Sequence, residues 1–428
     1  MGEISNSQKY GVPLYGAGWV PPSAIRSIFS KEDADSGDDS KAPPPAAEEN
    51  HVVLTGGGGE GSSGIPNALL VAKFDFEANS LSDRPVARLA TGEDLPYRIA
   101  VHPGGEGVIC SLPKSCRLYE WAAFEKADDS TLDLRSSERA LEHLEDVGQQ
   151  LSLAFNNESE RALEHLEDVG QQLSLAFNNE GTLLATGGED GKLRIFQWPA
   201  MELTLNEANA HASVKDLHFS PDGKLLVSVG SGPARVWDVT NSIAIATLQK
   251  ENDEQFCFCK FSPGRDGNQV LYIIAMKDRG ACILKWNTTT WRKMSSKRIV
   301  RDAVSAFDVS IDGKLLAVGT IEGNIWVLSS NSMSVQTVVK KAHLGLVTAL
   351  RFSKDSRYLL SASMDSSARV TQIKDEEKNG IYACISNISV CVYRCIPLCV
   401  YSSVHSGGPS HPINRIISVL VSHESSAT

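Results

Sequence analysis

The residues best suited to chemistry lie in one glycine-rich stretch, TGGGGEGSSGIPN, which runs from Thr55 to Asn67. It contains the spacing Gly59-x-Gly61-x-x-Gly64, which in dinucleotide-binding proteins opens a helix whose N-terminus meets a pyrophosphate. The residues that follow, ALLVAKFDFE, alternate like a β-strand instead. The stretch also lacks the Gly-Lys-Ser/Thr of a phosphate-binding P-loop. Both nucleotide-binding interpretations are therefore rejected.

Two interpretations of this glycine loop remain. The first is a flexible hairpin loop without a role of its own. The second gives the glycines a function, because four in succession exceed what a turn requires. A backbone without Cβ atoms can approach a partner closely or coordinate an ion through its carbonyl oxygens. Ile65 and Pro66 then form an apolar tip on a polar loop, suited to displacing a group in a partner.

Other candidate catalytic residues are weaker. No Ser-His-Asp, HExxH or paired-carboxylate spacing stands out in the sequence. His211 and His343 each precede a strand-like run, and Asp190 and Asp365 lie in nearby turns. Hydrogen-bond networks that hold the fold explain these residues better than acid–base catalysis does. The short basic run at 292–301 is interpreted as a solvated loop.

The glycine loop belongs to a chain of repeated units. Each unit has an alternating strand, a polar turn, a short apolar strand, a second turn and a further strand, which carries a Trp in the first four. The equivalent turn residues are 42, 44, 46 and 43 residues apart: Gly181, Gly223, Gly267, Gly313 and Ser356. A unit of about 40–45 residues with four short strands is typical of a WD-repeat β-propeller. Stacking the sheets as blades around an axis buries the faces that one sheet leaves exposed.

Two earlier segments bring the predicted count to seven blades in an all-β fold. Residues 51–76 form a strand, the glycine loop and a second strand, and residues 95–121 form a blade with Gly105 at its turn. The YGVPLYGAGWV run at 10–20 is predicted as an extended strand. The chain divides into an N-terminal segment with a strand, an acidic Pro/Ala-rich disordered loop, the propeller and an irregular tail: 1–29, 30–50, 51–375 and 376–428.

One stretch interrupts the repeat. The 22 residues SERALEHLEDVGQQLSLAFNNE at 137–158 recur without change at 159–180. Divergent blades do not match letter for letter, so we interpret this as a recent tandem duplication or a gene-model error. The blade needs a single QQLSLAF strand, and we expect the surplus copy to loop out, where insertions are tolerated at small cost. The alternative is a helical excursion for partner docking, because four apolar positions have helical spacing: Leu141, Leu144, Val147 and Leu151.

Charge and cysteine usage exclude some functions. The 428-residue chain carries a net charge of −11, which disfavours a nucleic-acid partner. Its nine cysteines have irregular spacings, which favours reduced thiols in a reducing compartment. The first residues, MGEISNSQKYGVPLYG, lack an apolar core, so no cleavable signal peptide is expected.

The tail contains a marginal membrane segment at 381–404. It is mostly apolar but includes Asn387, Arg394 and Pro397. An Arg at the bilayer centre costs roughly 2.5–3.5 kcal/mol, whereas each Leu, Ile, Val or Phe contributes about 0.3–0.6 kcal/mol. We therefore expect weak or partial membrane association. The tail cysteines lack zinc-ligand spacing, so a metal site there is disfavoured.

The motifs YGVPLYGAGWVP, TGGGGEGSSGIPN and LPYRIAVHPGGEG, with the WD units, resemble plant members of the Sec-twelve family from Tyr10 to about Lys378. The resemblance implies a propeller on the cytosolic face of the endoplasmic reticulum, anchored by a C-terminal helix. It implies a guanine-nucleotide exchange factor for the Sar-type small GTPase that starts COPII coat assembly. It also implies that the loop binds potassium and inserts at the nucleotide site of the GTPase. The matching positions are Gly56, Gly57, Gly58, Gly59, Gly61, Gly64, Ile65 and Asn67.

Two function hypotheses follow from the resemblance. In the first, the protein regulates a GTPase without bond chemistry: Ile65 is the wedge, the glycines hold potassium and Asn67 anchors the loop. In the second, the propeller is a scaffold that assists cargo, such as a phosphate transporter, to leave the endoplasmic reticulum without nucleotide exchange. Retention of the full glycine loop favours the first. The tail lacks the apolar anchor helix of the family, so we expect a mostly cytosolic propeller.

Overall fold

The structure is a computed structural model that describes residues 6–24, 50–59, 63–126, 129–136, 171–251, 253–264, 267–278 and 280–373. Its strands form seven antiparallel sheets, which confirms the predicted seven-bladed, all-β propeller. One helical turn lies at residues 22–24. Residues 374–428 lie outside the described residues.

Each blade begins with a strand that contacts the first strands of the neighbouring blades, so the first strands surround a central channel. The chain opens with β1 (Ser7–Lys9), which belongs to blade 7. Blade 1 contains β2 (Leu14–Trp19), β3 (Asn50–Gly56), β4 (Asn67–Asp75), β5 (Ser80–Leu81) and β6 (Ala87–Gly92). Blade 2 contains β7 (Arg98–Val101), β8 (Gly107–Ser111), β9 (Cys116–Lys126) and β10 (Asp129–Ser136).

The remaining blades follow the repeated units along the chain. Blade 3 contains β11 (Gln172–Phe177), β12 (Leu183–Gly188), β13 (Leu193–Gln197) and β14 (Glu202–Glu207). Blade 4 contains β15 (Val214–Phe219), β16 (Leu225–Gly230), β17 (Ala234–Asp238) and β18 (Ile243–Leu248). Blade 5 contains β19 (Glu254–Pro263), β20 (Gln269–Lys277), β21 (Gly280–Asn287) and β22 (Lys293–Val300). Blade 6 contains β23 (Val304–Val309), β24 (Leu315–Thr320), β25 (Ile325–Ser329) and β26 (Val335–Val339), and blade 7 contains β27 (Val347–Phe352), β28 (Tyr358–Ser363) and β29 (Ser367–Gln372) with β1.

The apolar core lies between the blades. Seven clusters of buried side chains each join two adjacent blades, from the cluster between blades 7 and 1 to the cluster between blades 6 and 7. In one of them, Val227 of β16 lies with Phe256 of β19 and Ile273 of β20. The alternating apolar residues of each strand therefore face the next blade, as period-2 patterning requires.

Polar side chains on the first strands tie neighbouring blades together. The Asp216 carboxylate accepts from the Cys259 backbone N–H at 2.9 Å, and Asp308 accepts from that of Phe352 at 2.9 Å. His218 Nδ1 accepts from the Phe261 N–H at 3.2 Å. Six of the seven first strands also carry a register shift near their start, which re-aims the side chains there: β2, β11, β15, β19, β23 and β27.

The N-terminal segment is part of the ring. Strand β1 pairs with β29, with Gln8 opposite Ala368, and the Tyr10 N–H donates to the Ser366 carbonyl at 2.9 Å. Strand β2 is the first strand of blade 1. The propeller therefore includes β1 and β2, which the predicted start at residue 51 leaves out. A three-residue strand is too short to show periodicity, and the segment at 25–49 separates β2 from the repeats.

The duplicated stretch contributes one strand to the described residues. The second copy supplies β11, the first strand of blade 3. The first copy at 137–158 lies outside the described residues, as do the predicted loop up to residue 49 and the predicted membrane segment at 381–404. Within the described ranges, no helix combines the length and apolarity that a membrane crossing requires.

Deletion of residues 1–9 should destabilise the ring, because it leaves β29 as an unpaired edge. Loss of these backbone hydrogen bonds costs roughly 2–3 kcal/mol, equivalent to a fall of about 3–6 °C in melting temperature. Thermal unfolding followed by circular dichroism measures the change. Alanine at Ser7 and Lys9 keeps the backbone pairing and is the matched control. Equal melting temperatures for the deletion and the wild type would show that β1 does not close the ring.

Deletion of residues 137–158 should leave the melting temperature unchanged or higher. The second copy already provides β11, so blade 3 remains complete, and a shorter connection costs less closure entropy. The same thermal measurement applies. A fall of several degrees would show that the first copy is built into a blade.

Candidate functional site

The glycine loop joins β3 to β4 in blade 1. These are the second and third strands of blade 1, and ten residues separate them. In each of the other six blades, two to four residues join the equivalent pair of strands. Because Leu14, at the start of β2, pairs with Gly56, at the end of β3, the loop lies where the first strands of the ring begin. We call this side of the ring the loop face. The glycine loop is thus an enlargement of one connection on this face.

Close backbone contacts require glycine in the loop. A Cβ atom on Gly56 would lie 2.2 Å from the carbonyl oxygen of Pro13, and one on Gly58 would lie 2.0 Å from the Ser63 hydroxyl. The Gly58 N–H donates to the Ile65 carbonyl at 3.3 Å, which closes the base of the loop. Glycine at these positions therefore serves close approach within the chain itself, and the predicted approach to a partner stays a prediction. Gly61 lies outside the described residues.

Asn67 fixes the loop to the neighbouring connection. Its side chain is 4% exposed, and its Oδ1 accepts from the Gly59 N–H at 3.0 Å. Its Nδ2 donates to the carbonyls of Glu93 at 2.9 Å, Gly92 at 3.2 Å and Gly59 at 3.4 Å. A Cβ atom on Gly57 would lie 2.1 Å from Asn67 Oδ1. One buried amide thus holds both sides of the loop base and needs glycine beside it.

Ile65 combines a fixed backbone with an exposed side chain. Its N–H donates to the Ser63 hydroxyl at 3.3 Å, and its carbonyl accepts from Gly58. The side chain is 38% exposed, although isoleucine is among the residue types most often buried. The loop therefore presents an apolar group to solvent from a base that hydrogen bonds hold in place.

More exposed apolar side chains lie on the loop face. Ile321, Leu344 and Met364 are 48%, 80% and 40% exposed, in connections of blades 6 and 7. We call these three residues the apolar patch. With Ile65 they occupy three consecutive blades. Ile311, which is 58% exposed, lies on the opposite face, in the connection between β23 and β24.

Hydrogen bonds connect the loops of blades 6 and 7. The His343 N–H donates to the Gly323 carbonyl at 3.1 Å, and the Leu344 N–H donates to the Asp365 carboxylate at 2.6 Å. An ion pair of 3.7 Å between Glu322 and Lys341 lies beside the patch. The patch therefore has a fixed backbone and a polar border, as protein interfaces do.

The connection continues to the glycine loop. The Tyr10 N–H donates to the Ser366 carbonyl at 2.9 Å, and three residues later the Pro13 carbonyl accepts from Gly57 at 3.1 Å. The chain from Tyr10 to Pro13 thus joins the turn that holds Met364 to the base of the glycine loop. Sequence reasoning missed the apolar patch, because single apolar residues in short loops carry no periodic signal.

The two histidines join structural networks. His343 Nε2 lies 2.8 Å from the Ser361 hydroxyl and its Nδ1 lies 2.6 Å from that of Ser367. Burial lowers the pKa of His343 to about 4, which keeps the ring neutral. His211 Nε2 lies 2.9 Å from the Ser228 hydroxyl, to which Trp237 Nε1 donates at 3.0 Å. These contacts agree with a role in holding the blades.

The described part of the loop base offers backbone carbonyl oxygens as polar acceptors. Among the described residues, no group of three or more His, Cys, Asp or Glu side chains could hold a metal ion. The carbonyl oxygens of Gly59, Gly92 and Glu93 converge on the Asn67 amide nitrogen. Uncharged carbonyl oxygens are the donors that replace the hydration shell of potassium. These three carbonyls already accept from the Asn67 amide, and the potassium site remains a prediction.

Comparison with known proteins finds a matching family model and similar proteins. The family model described as WD domain, G-beta repeat matches residues 161–197, 203–238 and 334–371. SEC12-like protein 2 of Arabidopsis thaliana is 50% identical over 379 residues, covering 88% of this chain and 90% of that protein. SEC12-like protein 1 of the same plant is 30% identical and covers 76% of each chain.

This chain belongs to the SEC12-like family. The guanine nucleotide-exchange factor SEC12 of Rattus norvegicus is a more distant relative, 26% identical over 185 residues, which are 40% of this chain and 44% of the rat protein. The two plant relatives with higher identity are named SEC12-like, and the rat relative with lower identity is named an exchange factor.

Asn67→Ala should loosen the glycine loop and lower the free energy of unfolding by about 1–3 kcal/mol, since it leaves buried polar groups without partners. Urea unfolding measures the stability, and hydrogen exchange of the amides at 57–59 measures the loop. Asn206→Ala removes an exposed amide and is the matched control. If exchange at 57–59 stays as slow as in the wild type, Asn67 does not hold the loop.

Proposed function

We propose that this protein is a guanine-nucleotide exchange factor for a Sar-type small GTPase and promotes COPII vesicle formation at the cytosolic face of the endoplasmic reticulum. One observation carries the proposal. The ten-residue glycine loop holds the exposed Ile65 side chain above a hydrogen-bonded base. The proposal also draws support from the SEC12 relatives that are named exchange factors.

The mechanism requires no bond chemistry. Exchange is accelerated when the factor binds the nucleotide-free GTPase more tightly than the GDP form. Each 1.4 kcal/mol of this difference changes the ratio of affinities tenfold. Ile65 would occupy space that the bound nucleotide or its surroundings must vacate, and Asn67 would anchor the loop against the resulting force. In this proposal the protein is a GTPase regulator and not a bond-making enzyme.

A potassium ion fits this proposal as a cofactor. The backbone carbonyls of Gly56, Gly57, Gly58, Gly59, Gly61 and Gly64 would hold it. A bound cation would add positive charge beside the phosphate-binding region of the GTPase and reduce the conformational freedom of the loop. Exchange should therefore be faster in potassium than in lithium at equal ionic strength.

The apolar patch extends the docking surface that the proposal needs. A specific protein interface covers roughly 800 Å² on each partner, which is more than one loop tip provides. Leu344 and Met364 lie on the same face and are joined to the loop through Tyr10 and Pro13. A GTPase seated on Ile65 would therefore also cover the patch, with Leu344, the most exposed of these side chains, as an anchor.

The second candidate function is a scaffold that assists cargo, such as a phosphate transporter, to leave the endoplasmic reticulum without nucleotide exchange. One observation favours it. The relatives at 50% and 30% identity are named SEC12-like, whereas the rat exchange factor matches 40% of this chain at 26% identity. Direct measurement of nucleotide release separates the two candidates.

The full chain should accelerate release of a fluorescent GDP from a Sar-type GTPase in potassium buffer. Ile65→Ala should slow this release about 10–100-fold, because it removes roughly 1.5–3 kcal/mol of apolar contact. Leu344→Ala should raise the concentration of factor needed for half-maximal rate. Ile311→Ala truncates an exposed isoleucine on the opposite face and is the matched control.

Release at the intrinsic rate with wild-type protein would reject exchange and leave the scaffold. Acceleration by wild type that Ile65→Ala and Ile311→Ala preserve equally would reject Ile65 as the wedge. Asn67→Ala is unsuited to this test, because Asn67 is buried and its loss changes the loop itself.

A further inference from the structure

Positive charge collects in the central channel of the ring. A cavity of about 60 Å³ is lined by Arg98 of β7, Lys215 of β15, Lys260 of β19 and Arg351 of β27. These four residues come from the first strands of four different blades. The chain has a net charge of −11, whereas the residues that line this cavity carry net positive charge.

The carboxylates near this cavity are already engaged. Asp216 accepts from the Cys259 N–H at 2.9 Å and from the Ser174 hydroxyl at 3.2 Å. Asp308 accepts from the Phe352 N–H at 2.9 Å, and its other oxygen lies 3.9 Å from Arg351. Both carboxylates hold adjacent blades together, and Asp216 itself lines the cavity. Their two negative charges offset half of the charge of the four cations, so the surroundings of the cavity stay positive.

The two lysines lack such partners. Within the part of the chain that the structure describes, no hydrogen bond or ion pair engages the ammonium group of Lys215 or Lys260. By contrast, Arg98 donates to the Thr348 carbonyl at 3.3 Å and lies 4.8 Å from the Tyr97 ring centre. Half-buried lysines with free donors line one wall of a narrow channel, where low-dielectric surroundings strengthen their mutual repulsion.

The positive charges that line the cavity also affect a neighbouring histidine, His218. Burial, together with the charges of Lys260 and Arg351, holds the pKa of His218 well below its usual range. His218 Nδ1 accepts from the Phe261 N–H at 3.2 Å, which requires that nitrogen to be unprotonated. The histidine therefore adds no positive charge of its own, and the charges of two cavity residues, Lys260 and Arg351, act on it.

We propose that the central channel binds a small tetrahedral oxyanion of the phosphate class. The cavity volume corresponds to roughly four waters, or to one ion with four oxygens, since each water needs about 10–15 Å³ by this measure. Lysine and arginine donors form short, charge-assisted hydrogen bonds to such oxygens. A nucleotide exceeds this space. The site is separate from the glycine loop and stands independently of the exchange activity.

Inorganic phosphate is the probe, added to the full chain at constant ionic strength with chloride as the reference anion. Phosphate at saturation should raise the melting temperature by about 3 °C or more. Lys215→Gln and Lys260→Gln should abolish this rise. In chloride alone, both variants should melt at or above the wild-type temperature, because each relieves repulsion between like charges. Lys354→Gln removes an exposed lysine outside the cavity and is the matched control, which keeps the rise.

The proposal is overturned if phosphate shifts the control and the two channel variants equally. O-phosphoserine, titrated in parallel by calorimetry, distinguishes a free ion from a phosphate monoester. The cavity size predicts tighter binding of the free ion, and tighter binding of the monoester would overturn that assignment.

A second measurement needs no variant. Phosphate near Lys260 and Arg351 should raise the pKa of His218 towards its usual value, because a bound anion favours the protonated ring. NMR titration of the histidine ring signals in phosphate and in chloride measures this shift. Equal pKa values in the two buffers would overturn the site.

Discussion

Burial between blades is the constraint on which the rest of the structure depends. A four-stranded sheet has two apolar faces, and each face is covered only when another blade packs against it. The seven apolar clusters lie at the seven blade contacts, so no blade is complete until the ring closes. Closure is made by β1, which completes blade 7 from the other end of the propeller. A three-residue strand therefore joins the two ends of a fold of several hundred residues.

The ring also explains how the base of the long glycine loop is held in place. Its ends are strands β3 and β4, which are paired residue by residue and buried. Its base is held by Asn67 and by the bond from Gly57 to Pro13, which in turn follows the segment that closes the ring. Close backbone approaches lie in this base, where absent Cβ atoms permit them. Ile65 belongs to this base and presents its side chain to solvent.

Much of this was predictable from the sequence, and the remainder was not for physical reasons. Regular spacing and period-2 alternation predicted the blades, because each blade is a local unit. The glycine loop was found because its composition is unusual. Strand β1 was missed as a blade strand because its pairing to β29 joins residues about 360 positions apart. The partners of Asn67, the apolar patch and the channel lysines depend on which loops and strands the ring brings together, and no local pattern encodes that.

Positions at which one blade differs from the others are therefore more informative about function than the repeat itself. Equivalent positions in different blades belong to the same element of the fold, so the repeat alone does not explain a residue that differs from its equivalents. Blade 1 carries a ten-residue connection where the others carry two to four. At one equivalent position of the first strands, Ala176 of blade 3 corresponds to His218, Lys260, Asp308 and Arg351 in the next four blades. His218 and Asp308 bind the next blade, which accounts for them structurally. Lys260 makes no such bond, and a half-buried cation without a structural partner is the kind of residue that a ligand best explains.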